Sequence, residues 1–238
     1  MKLGGILALT AALVLTGCAP AAPPVSEKVQ KYYDESLTQK PTHTKVPPIV
    51  AFLGDSYTAG AGTTQGSKRW TTLLSQSLGW VETNIGRGGT GYLTTSGKDG
   101  CGLDVCPNYV GMIPDAVKAK PSIVVVSGGR NDLSKDPQTV AANVHEFFTT
   151  LRADLPDAKI IATSPAWDAT TPPERLAALA IVIQTEAQSV KATYVDLGQP
   201  LAGKPDLISA DKVHPNDAGH SALYLAAKDA MNRAGVLD

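Results

Sequence analysis

The chain has 238 residues and is close to electrical neutrality, with 21 basic side chains against 22 acidic ones. A net charge of −1 gives neither the basic surface that binds nucleic acid nor a polybasic patch for a membrane. Hydrophobic residues make up 43% of the chain. Once an N-terminal signal and linker are set aside, this is enough to fill the core of one domain of about 190 residues.

The N-terminus has the pattern of an export signal, with Lys2 followed by an apolar stretch from Leu3 to Leu15. The stretch is shorter than the ~20 apolar residues that a transmembrane helix needs. It ends in Leu15-Thr16-Gly17-Cys18, which resembles a bacterial lipobox. We therefore predict a lipoprotein signal peptide over residues 1–17 and a lipidated Cys18. An ordinary secretory signal that contains a cysteine is the alternative.

Residues 18–48 are rich in Pro, Ala, Lys and Thr, which predicts a tether between the lipid anchor and a domain over residues 49–238. Acyl chains on Cys18 would attach the protein to a bacterial cell membrane, since more than one chain makes anchoring stable. The domain is then expected on the extracytoplasmic side. The sequence does not define the oligomeric state, and we assume a monomer.

From Ile49 onward, apolar runs typical of strands alternate with amphipathic stretches typical of helices. A continuous run such as Ile123-Val124-Val125-Val126 is typical of a parallel strand that is covered on both faces. The alternation predicts a parallel sheet with helices on both sides. The five predicted strands are Ile49–Gly54, Trp80–Asn84, Ser122–Ser127, Lys159–Ser164 and Thr193–Leu197.

Three helices are predicted from their apolar faces and their start signals. The first runs from Asp136 to about Asp154, with Pro137 at its first position. The second begins at Thr171-Pro172-Pro173-Glu174, which has the pattern of a capping box. The third follows Pro215 and carries Leu223 and Ala227 on its apolar face.

The stretch from Ile85 to Lys120 is long and rich in glycine, and only a short helix near Pro114–Ala119 is expected within it. Long loops in compact domains are usually functional or disordered. Cys101 and Cys106 lie inside this loop, and an exported chain matures in an oxidising compartment, so we predict a disulfide between them. A metal pair is the weaker alternative, because no histidine lies near these cysteines.

Two polar blocks contain the side chains of a serine nucleophile and its base. Ser56 directly follows the first predicted strand, and the carboxyl ends of parallel strands are where open α/β sheets place their sites. His214 follows the last strand by a loop, so it should reach the same edge and activate Ser56. Asp211 lies three residues earlier and would orient the imidazole. Taken alone, Asp211-Lys212-Val213-His214 is better interpreted as an incidental loop with a helix cap, because such a spacing is common. Together with Gly54-Asp55-Ser56, the catalytic interpretation is favoured.

Four blocks occur in an order that resembles the SGNH (GDSL) family of serine esterases and lipases. They are Gly54-Asp55-Ser56-Tyr57, Asn84-Ile85-Gly86-Arg87-Gly88-Gly89, Gly129-Arg130-Asn131-Asp132 and Asp211-Lys212-Val213-His214. The resemblance implies a flavodoxin-like three-layer αβα sandwich on a five-stranded parallel sheet. It also implies hydrolysis of a carboxylic ester through an acyl-serine intermediate. The sequence contains no glycine-rich phosphate motif of the P-loop or dinucleotide kind, so neither a nucleotide cofactor nor a metal is expected.

The same resemblance assigns the oxyanion hole. Its donors would be the backbone N–H of Ser56, the backbone N–H of Gly89 and the side-chain amide of Asn131. Glycine lets the backbone approach the substrate closely, and an amide donates without a charge that needs solvation. The second block offers three glycines, of which Gly89 is the preferred one. Arg130 stands where the family often has a small residue, and we interpret it as a salt-bridged scaffold residue rather than a ligand for an anionic group.

An acyl pocket is predicted from two aromatic residues. Trp167 follows the fourth strand and should emerge at the same edge as Ser56, and Tyr92 lies in the long loop with the two cysteines. The alternative for Trp167 is that it only caps the core beneath the next helix. Walls of this kind favour short acyl groups, from acetyl to butyryl. Three alternatives remain open: an acyltransferase, a glycan O-deacetylase with the same triad, and a lipid-anchored binding module without catalysis.

Overall fold

The structure of the protein is a computed structural model that describes residues 46–237. The predicted signal peptide, Cys18 and all but the last three residues of the predicted tether lie outside this described part of the chain. Within it, no helix has both the length and the apolar character that crossing a bilayer requires.

The strands form one parallel sheet in the order β2-β1-β3-β4-β5. All the pairings are parallel, and Gly54 at the end of the first strand lies opposite Ser127 at the end of the third. The carboxyl ends of the strands therefore meet at one edge of the sheet. The strands are β1 Ile49–Gly54, β2 Val81–Asn84, β3 Ile123–Ser127, β4 Lys159–Thr163 and β5 Thr193–Val195.

Helices cover both faces of this sheet. They are α1 Ser56–Ala59, α2 Trp70–Leu78, α3 Lys98–Cys101, α4 Tyr109–Ala119, α5 Pro137–Asp154, α6 Glu174–Ser189 and α7 Asp217–Arg233. Three single-turn 3₁₀ helices lie at Gly66–Lys68, Arg130–Asp132 and Pro205–Leu207.

Alternate residues of the central strands point to opposite faces, so the sheet has a hydrophobic core on each side. On one side Leu53 and Val126 pack with α4, α5 and α6. On the other side Phe52 and Val125 pack with α2 and α7. All four of these side chains are fully buried, and the resulting layers confirm the predicted αβα sandwich.

Several local predictions differ from the structure. Strand β5 ends at Val195 rather than Leu197, and the single-turn α3 was not expected in the long loop. Helix α2 was not expected, because only Trp70 and Leu74 are large apolar residues on its buried face. Helix α4 begins at Tyr109 rather than near Pro114, since Asn108 is its cap and accepts a hydrogen bond from Gly111. The capping box before α6 is wrong: the helix begins at Glu174 and no side chain caps it.

Candidate active site

Ser56 is the first residue of α1 and lies two residues after β1 ends at the sheet edge. Asp55 caps the helix by accepting a hydrogen bond from the Tyr57 N–H at 2.9 Å. A side chain on Gly54 would place its Cβ 2.1 Å from the carbonyl oxygen of Ser127 on β3. Only glycine lets the neighbouring strand come this close, and this packing fixes the point at which Ser56 leaves the sheet.

His214 and Asp211 meet Ser56 at this edge. The Ser56 Oγ lies 2.9 Å from His214 Nε2, and His214 Nδ1 lies 2.7 Å from Asp211 Oδ2. An ionised carboxylate can only accept hydrogen bonds, so Nδ1 carries the proton of the neutral ring. Nε2 is then free to accept from the serine hydroxyl. This is the arrangement in which an imidazole can remove the proton of an attacking serine.

The Asp211 carboxylate is kept ionised by the loop around it, which we call the histidine loop (residues 209–214). Its Oδ1 accepts hydrogen bonds from the backbone N–H groups of Val213 and His214 and from the Ser209 hydroxyl, at 2.8–2.9 Å. Burial acts to raise the pKa of Asp211, but these hydrogen bonds and the one from the imidazole lower it well below its ordinary value. Asp211 is therefore anionic at neutral pH.

The predicted oxyanion donors lie on the same cavity as the serine and the histidine. This cavity has a volume of about 760 Å³, and Ser56, Gly89, Asn131 and His214 are among its lining residues. Gly89 has a φ of +75°, a left-handed conformation that glycine adopts without strain. The Asn131 amide donates one hydrogen bond to the Thr90 carbonyl at 2.8 Å. Its second N–H remains for a substrate oxygen.

A disulfide-closed segment forms one wall of this cavity. Cys101 and Cys106 are joined by a disulfide with a sulfur–sulfur distance of 2.06 Å. We call residues 96–106 the cystine loop, because Ser96 and Cys106 exchange backbone hydrogen bonds at its base. A Cβ on Gly88 would lie 1.9 Å from the carbonyl oxygen of Gly100, and one on Gly89 would lie 2.6 Å from Ser96 Oγ. The loop therefore packs directly against the predicted oxyanion donor.

The two aromatic residues of the predicted acyl pocket lie elsewhere. Tyr92 is 1% exposed and packs in the core against Tyr109 and Phe147, so its assignment to the pocket wall is wrong. Trp167 is half-buried and is not among the residues that line the cavity. The Trp167 ring instead stacks on the guanidinium of Arg130, whose Cζ lies 4.3 Å from the ring centroid. Arg130 is one of the residues that line the cavity.

Arg130 has the role of a scaffold residue. Its Nη2 lies 3.0 Å from Asp168 Oδ2, and both side chains are at least nine-tenths buried. Burial acts to raise the pKa of Asp168, but hydrogen bonds from Thr170 and Arg130 lower it below its ordinary value. The guanidinium thus has an ionised partner within the protein, which agrees with the interpretation of Arg130 as a salt-bridged scaffold residue.

The other histidines of the described chain are not at the serine. His145 contacts Glu186 on the neighbouring helix at 2.7 Å, in an exposed position. His220 is fully buried; its Nδ1 accepts from the Trp70 N–H at 3.3 Å and its Nε2 lies 3.0 Å from the Ala61 carbonyl. Burial lowers the pKa of His220, so this ring is a neutral structural bridge. His43 lies outside the described residues.

Two buried carboxylates support the site, although no role for them was assigned from the sequence. Asp132 is 1% exposed and accepts hydrogen bonds from the backbone N–H groups of residues 92–94, which anchors the loop beyond Gly89. Burial raises the pKa of Asp55 to about 6, against the hydrogen bond from Tyr57 and the charge of Arg130. Both lie within the quoted sequence blocks, but burial of a carboxylate cannot be seen in a motif.

Residues 46–237 contain no group of three or more His, Cys, Asp or Glu side chains that could hold a metal ion. The chemistry available at the cavity is that of a serine, an imidazole and a carboxylate, with amide donors beside them. Such a set is typical of hydrolases that transfer an acyl group to serine.

Comparison with known proteins agrees with this class. The GDSL-like lipase/acylhydrolase family matches residues 52–222, and the chain belongs to that family. It is therefore an ester-hydrolysing serine hydrolase. The chain is 33% identical to the GDSL lipase Rv0518 of Mycobacterium tuberculosis over 192 residues, which are 76% of this chain and 79% of that protein.

Solved structures share the fold at lower sequence identity. A family two carbohydrate esterase from Cellvibrio japonicus superposes with a TM-score of 0.60 at 20% identity, over 81% of this chain and 64% of that one. The psychrotrophic esterase EstA from a Pseudoalteromonas species gives a TM-score of 0.59 at 19% identity, over 78% of this chain and 97% of that one.

Proposed function

We propose that the protein hydrolyses carboxylic esters with short acyl groups through an acyl-Ser56 intermediate. The observation that carries this proposal is the Ser56–His214–Asp211 chain of contacts, 2.9 and 2.7 Å long, on a cavity that Gly89 and Asn131 also line. A nucleophile, its base, the orienting carboxylate and the oxyanion donors are all available to one bound carbonyl group.

In the first half-reaction, Ser56 Oγ attacks the ester carbonyl carbon while its proton passes to His214 Nε2. The carbonyl oxygen becomes an oxyanion, and the N–H groups of Ser56, Gly89 and Asn131 would stabilise it. When the tetrahedral species collapses, the bond to the alcohol oxygen breaks and His214 gives its proton to the leaving alkoxide. Water then attacks the acyl-serine by the same steps, which releases the acid and restores Ser56.

The position of the cystine loop supports the preference for short acyl groups. The loop packs on Gly88 and Gly89, so it bounds the cavity next to the oxyanion donors. Leu103 of this loop lines the cavity and is 54% exposed, which gives an acyl group of a few carbons one apolar contact. A chain of a dozen carbons would extend beyond this wall into solvent.

Removal of an acetyl group from a glycan is the second candidate. The cavity is wide, and Arg87 and Asp99 give it a charged rim on which a polar sugar alcohol could make hydrogen bonds. This reaction uses the same serine, and the difference lies only in the alcohol that leaves. Activity on acetylated oligosaccharides, compared with activity on simple acetyl esters, distinguishes the two.

We further propose that the protein is exported and attached to the bacterial cell membrane through lipidated Cys18. The sequence from Leu15 to Cys18 supports this, and so does the disulfide between Cys101 and Cys106, which requires an oxidising compartment. Metabolic labelling with a radioactive fatty acid should mark the wild type but not Cys18→Ser. Equal labelling of both would contradict the anchor and leave the hydrolase proposal intact.

A series of p-nitrophenyl esters from acetyl to dodecanoyl tests the enzymatic proposal. We expect the highest kcat/KM between acetyl and butyryl. A maximum near twelve carbons would contradict the assigned acyl site, and no hydrolysis of any ester by the folded protein would contradict the proposed reaction.

A further inference from the structure

Tyr57 follows the nucleophile in α1 and contacts the loop that carries the base. Its side chain is 4% exposed, and its hydroxyl donates a hydrogen bond to the carbonyl oxygen of Val213 at 2.7 Å. In the described chain, α1 and the histidine loop share only this hydrogen bond and the one between Ser56 and His214. The Tyr57 hydroxyl is therefore a second point that fixes the histidine loop against the serine.

The direction of the hydrogen bonds at this hydroxyl follows from its partners. Arg130 Nη1 donates to the Tyr57 oxygen, and a guanidinium has no acceptor. The Val213 carbonyl has no donor, so the tyrosine proton must point toward it. A charged donor polarises the hydroxyl and strengthens the hydrogen bond that the hydroxyl donates. Burial raises the pKa of the Tyr57 phenol, so the proton is present throughout the neutral range.

Arg130 is itself fixed on several sides. It pairs with Asp168, its Cζ lies 4.3 Å from the centroid of the Trp167 ring, and the Tyr57 ring lies at 5.0 Å. Its side chain is only 10% exposed. The planar guanidinium can make these contacts at once, which a lysine ammonium could not. Arg130 therefore has a fixed orientation in which one N–H meets the tyrosine oxygen.

We propose that Tyr57 is a positioning residue for His214, and that Arg130, stacked on Trp167, orients its hydroxyl. Without this hydroxyl, the Ser56–His214 hydrogen bond would be the one left between α1 and the histidine loop in the described chain, and it is the bond that must be aligned for proton transfer. The edge contact between the Tyr57 and His214 rings, with centroids 6.1 Å apart, would remain. A misplacement of about 1 Å at such a contact can lower the rate by roughly two orders of magnitude. The inference rests on the proposed function of Ser56 and His214.

Tyr57→Phe tests it, because this change removes the hydroxyl and keeps the buried ring. We expect kcat for a short-chain ester to fall about 10-fold to 100-fold, with KM within about twofold of the wild type. The rate at which a fluorophosphonate labels Ser56 should fall by a similar factor. Tyr224→Phe on α7, whose side chain does not line the cavity, is the matched control and should keep the wild-type values.

A double-variant cycle of Tyr57→Phe with Arg130→Lys tests whether Arg130 orients the Tyr57 hydroxyl. Since both residues act through one hydroxyl, the double variant should be no slower than the slower single variant. Additive losses would overturn the role of Arg130. Wild-type kcat in Tyr57→Phe, or a raised KM with unchanged kcat, would overturn the role of Tyr57. If the folded wild type neither cleaves esters nor reacts with the phosphonate, it is the proposed function that fails, and the inference fails with it.

Discussion

The histidine loop and the cystine loop lie against the same cavity, but different interactions hold them in place. The histidine loop is fixed by hydrogen bonds to charged or polarised groups, namely the Asp211 carboxylate and the Tyr57 hydroxyl. The cystine loop is fixed by a covalent bond and by close packing on Gly88 and Gly89. We therefore expect the proton-transfer side of the site to respond to charge and hydrogen bonding, and the oxyanion side to respond to shape and redox state.

The largest effects are expected on the proton-transfer side. Ser56→Ala and His214→Ala should each abolish esterase activity while the domain stays folded. Asp211→Asn should lower kcat by about 10⁴-fold, because the ring then favours the tautomer that cannot accept the serine proton. Steady-state kinetics with circular dichroism as a folding control measure this, and near-full activity in Asp211→Asn would show that another group orients the imidazole.

On the oxyanion side, the corresponding change is Gly89→Ala. A methyl group there would lie 2.6 Å from Ser96 Oγ, at a φ of +75°, so the backbone N–H must move. We expect kcat to fall about 10²-fold to 10³-fold, the loss typical of one oxyanion donor. Gly79→Ala is the control, because Gly79 has a similar φ of +65° but open space around it. An equal loss of activity in both variants would mean that backbone strain alone is responsible.

A third prediction concerns stability rather than rate. Because the pKa of Asp55 is raised from 3.8 to about 6 in the folded state, its ionisation costs stability as the pH rises from about 4 to about 6. Asp55→Asn keeps an acceptor for the Tyr57 N–H and removes the buried charge. We expect the variant to be more stable than the wild type at pH ~8, by up to about 3 kcal/mol, and to lose this advantage near pH ~4.

Urea unfolding across this pH range measures the difference. Asp136→Asn is the control, since Asp136 caps α5 in an exposed position and hydrogen bonds from Thr139 lower its pKa. That substitution should give no gain at high pH. Parallel curves for the wild type and Asp55→Asn would show that Asp55 is not a buried, destabilising charge.

Loss of the disulfide should affect the oxyanion side selectively. We expect Cys101→Ser with Cys106→Ser, or reduction of the wild type, to lower kcat about 10-fold, because the loop no longer holds Gly89 in place. Global stability should change less, since no residue of the cystine loop belongs to either hydrophobic core, although Cys106 is itself fully buried. Thiol titration before and after reduction controls for the state of the bond. Full activity of the reduced protein would contradict the coupling.

The smallest effect is expected at the tip of the cystine loop. Leu103→Ala removes an apolar contact from the cavity wall, so it should reduce the gain in kcat/KM from acetyl to butyryl esters. A buried methylene contributes about 0.8 kcal/mol, so kcat/KM should fall by at most roughly fourfold for each methylene that loses its contact. Leu225→Ala, an exposed leucine of α7, should leave the chain-length dependence unchanged. An identical dependence in Leu103→Ala would place the acyl group elsewhere in the cavity.

The sequence predicted the sheet and the long helices because their signals are local. Apolar runs such as Ile123 to Val126 and start signals such as Asp136-Pro137 depend on neighbouring residues alone. Helix α2 was not predicted because its local signal is weak. Two of its four buried residues, Thr71 and Ser75, are polar. Its place in the fold depends on packing against α7, which lies far away in the chain.

At the site, the sequence placed Ser56, Asp211 and His214 correctly at one sheet edge, because parallel strands end there together. It failed for Tyr92, since an aromatic residue in a glycine-rich loop gives no sign that it will pack on Phe147. The contacts of Arg130 depend on Tyr57 in α1 and on Asp168 in the loop after β4, which lie far from it in the chain. The distances between these side chains are set by the tertiary fold, so no local sequence pattern predicts them.

Each step proposed for this site requires that Ser56 is the nucleophile and His214 its base. Peptide mass mapping of the protein after reaction with a fluorophosphonate identifies the residue that attacks. We expect one phosphonyl adduct, on the peptide that contains Ser56, with no adduct in Ser56→Ala and a strongly reduced rate in His214→Ala. An adduct on another residue, or an unchanged rate without His214, would contradict it.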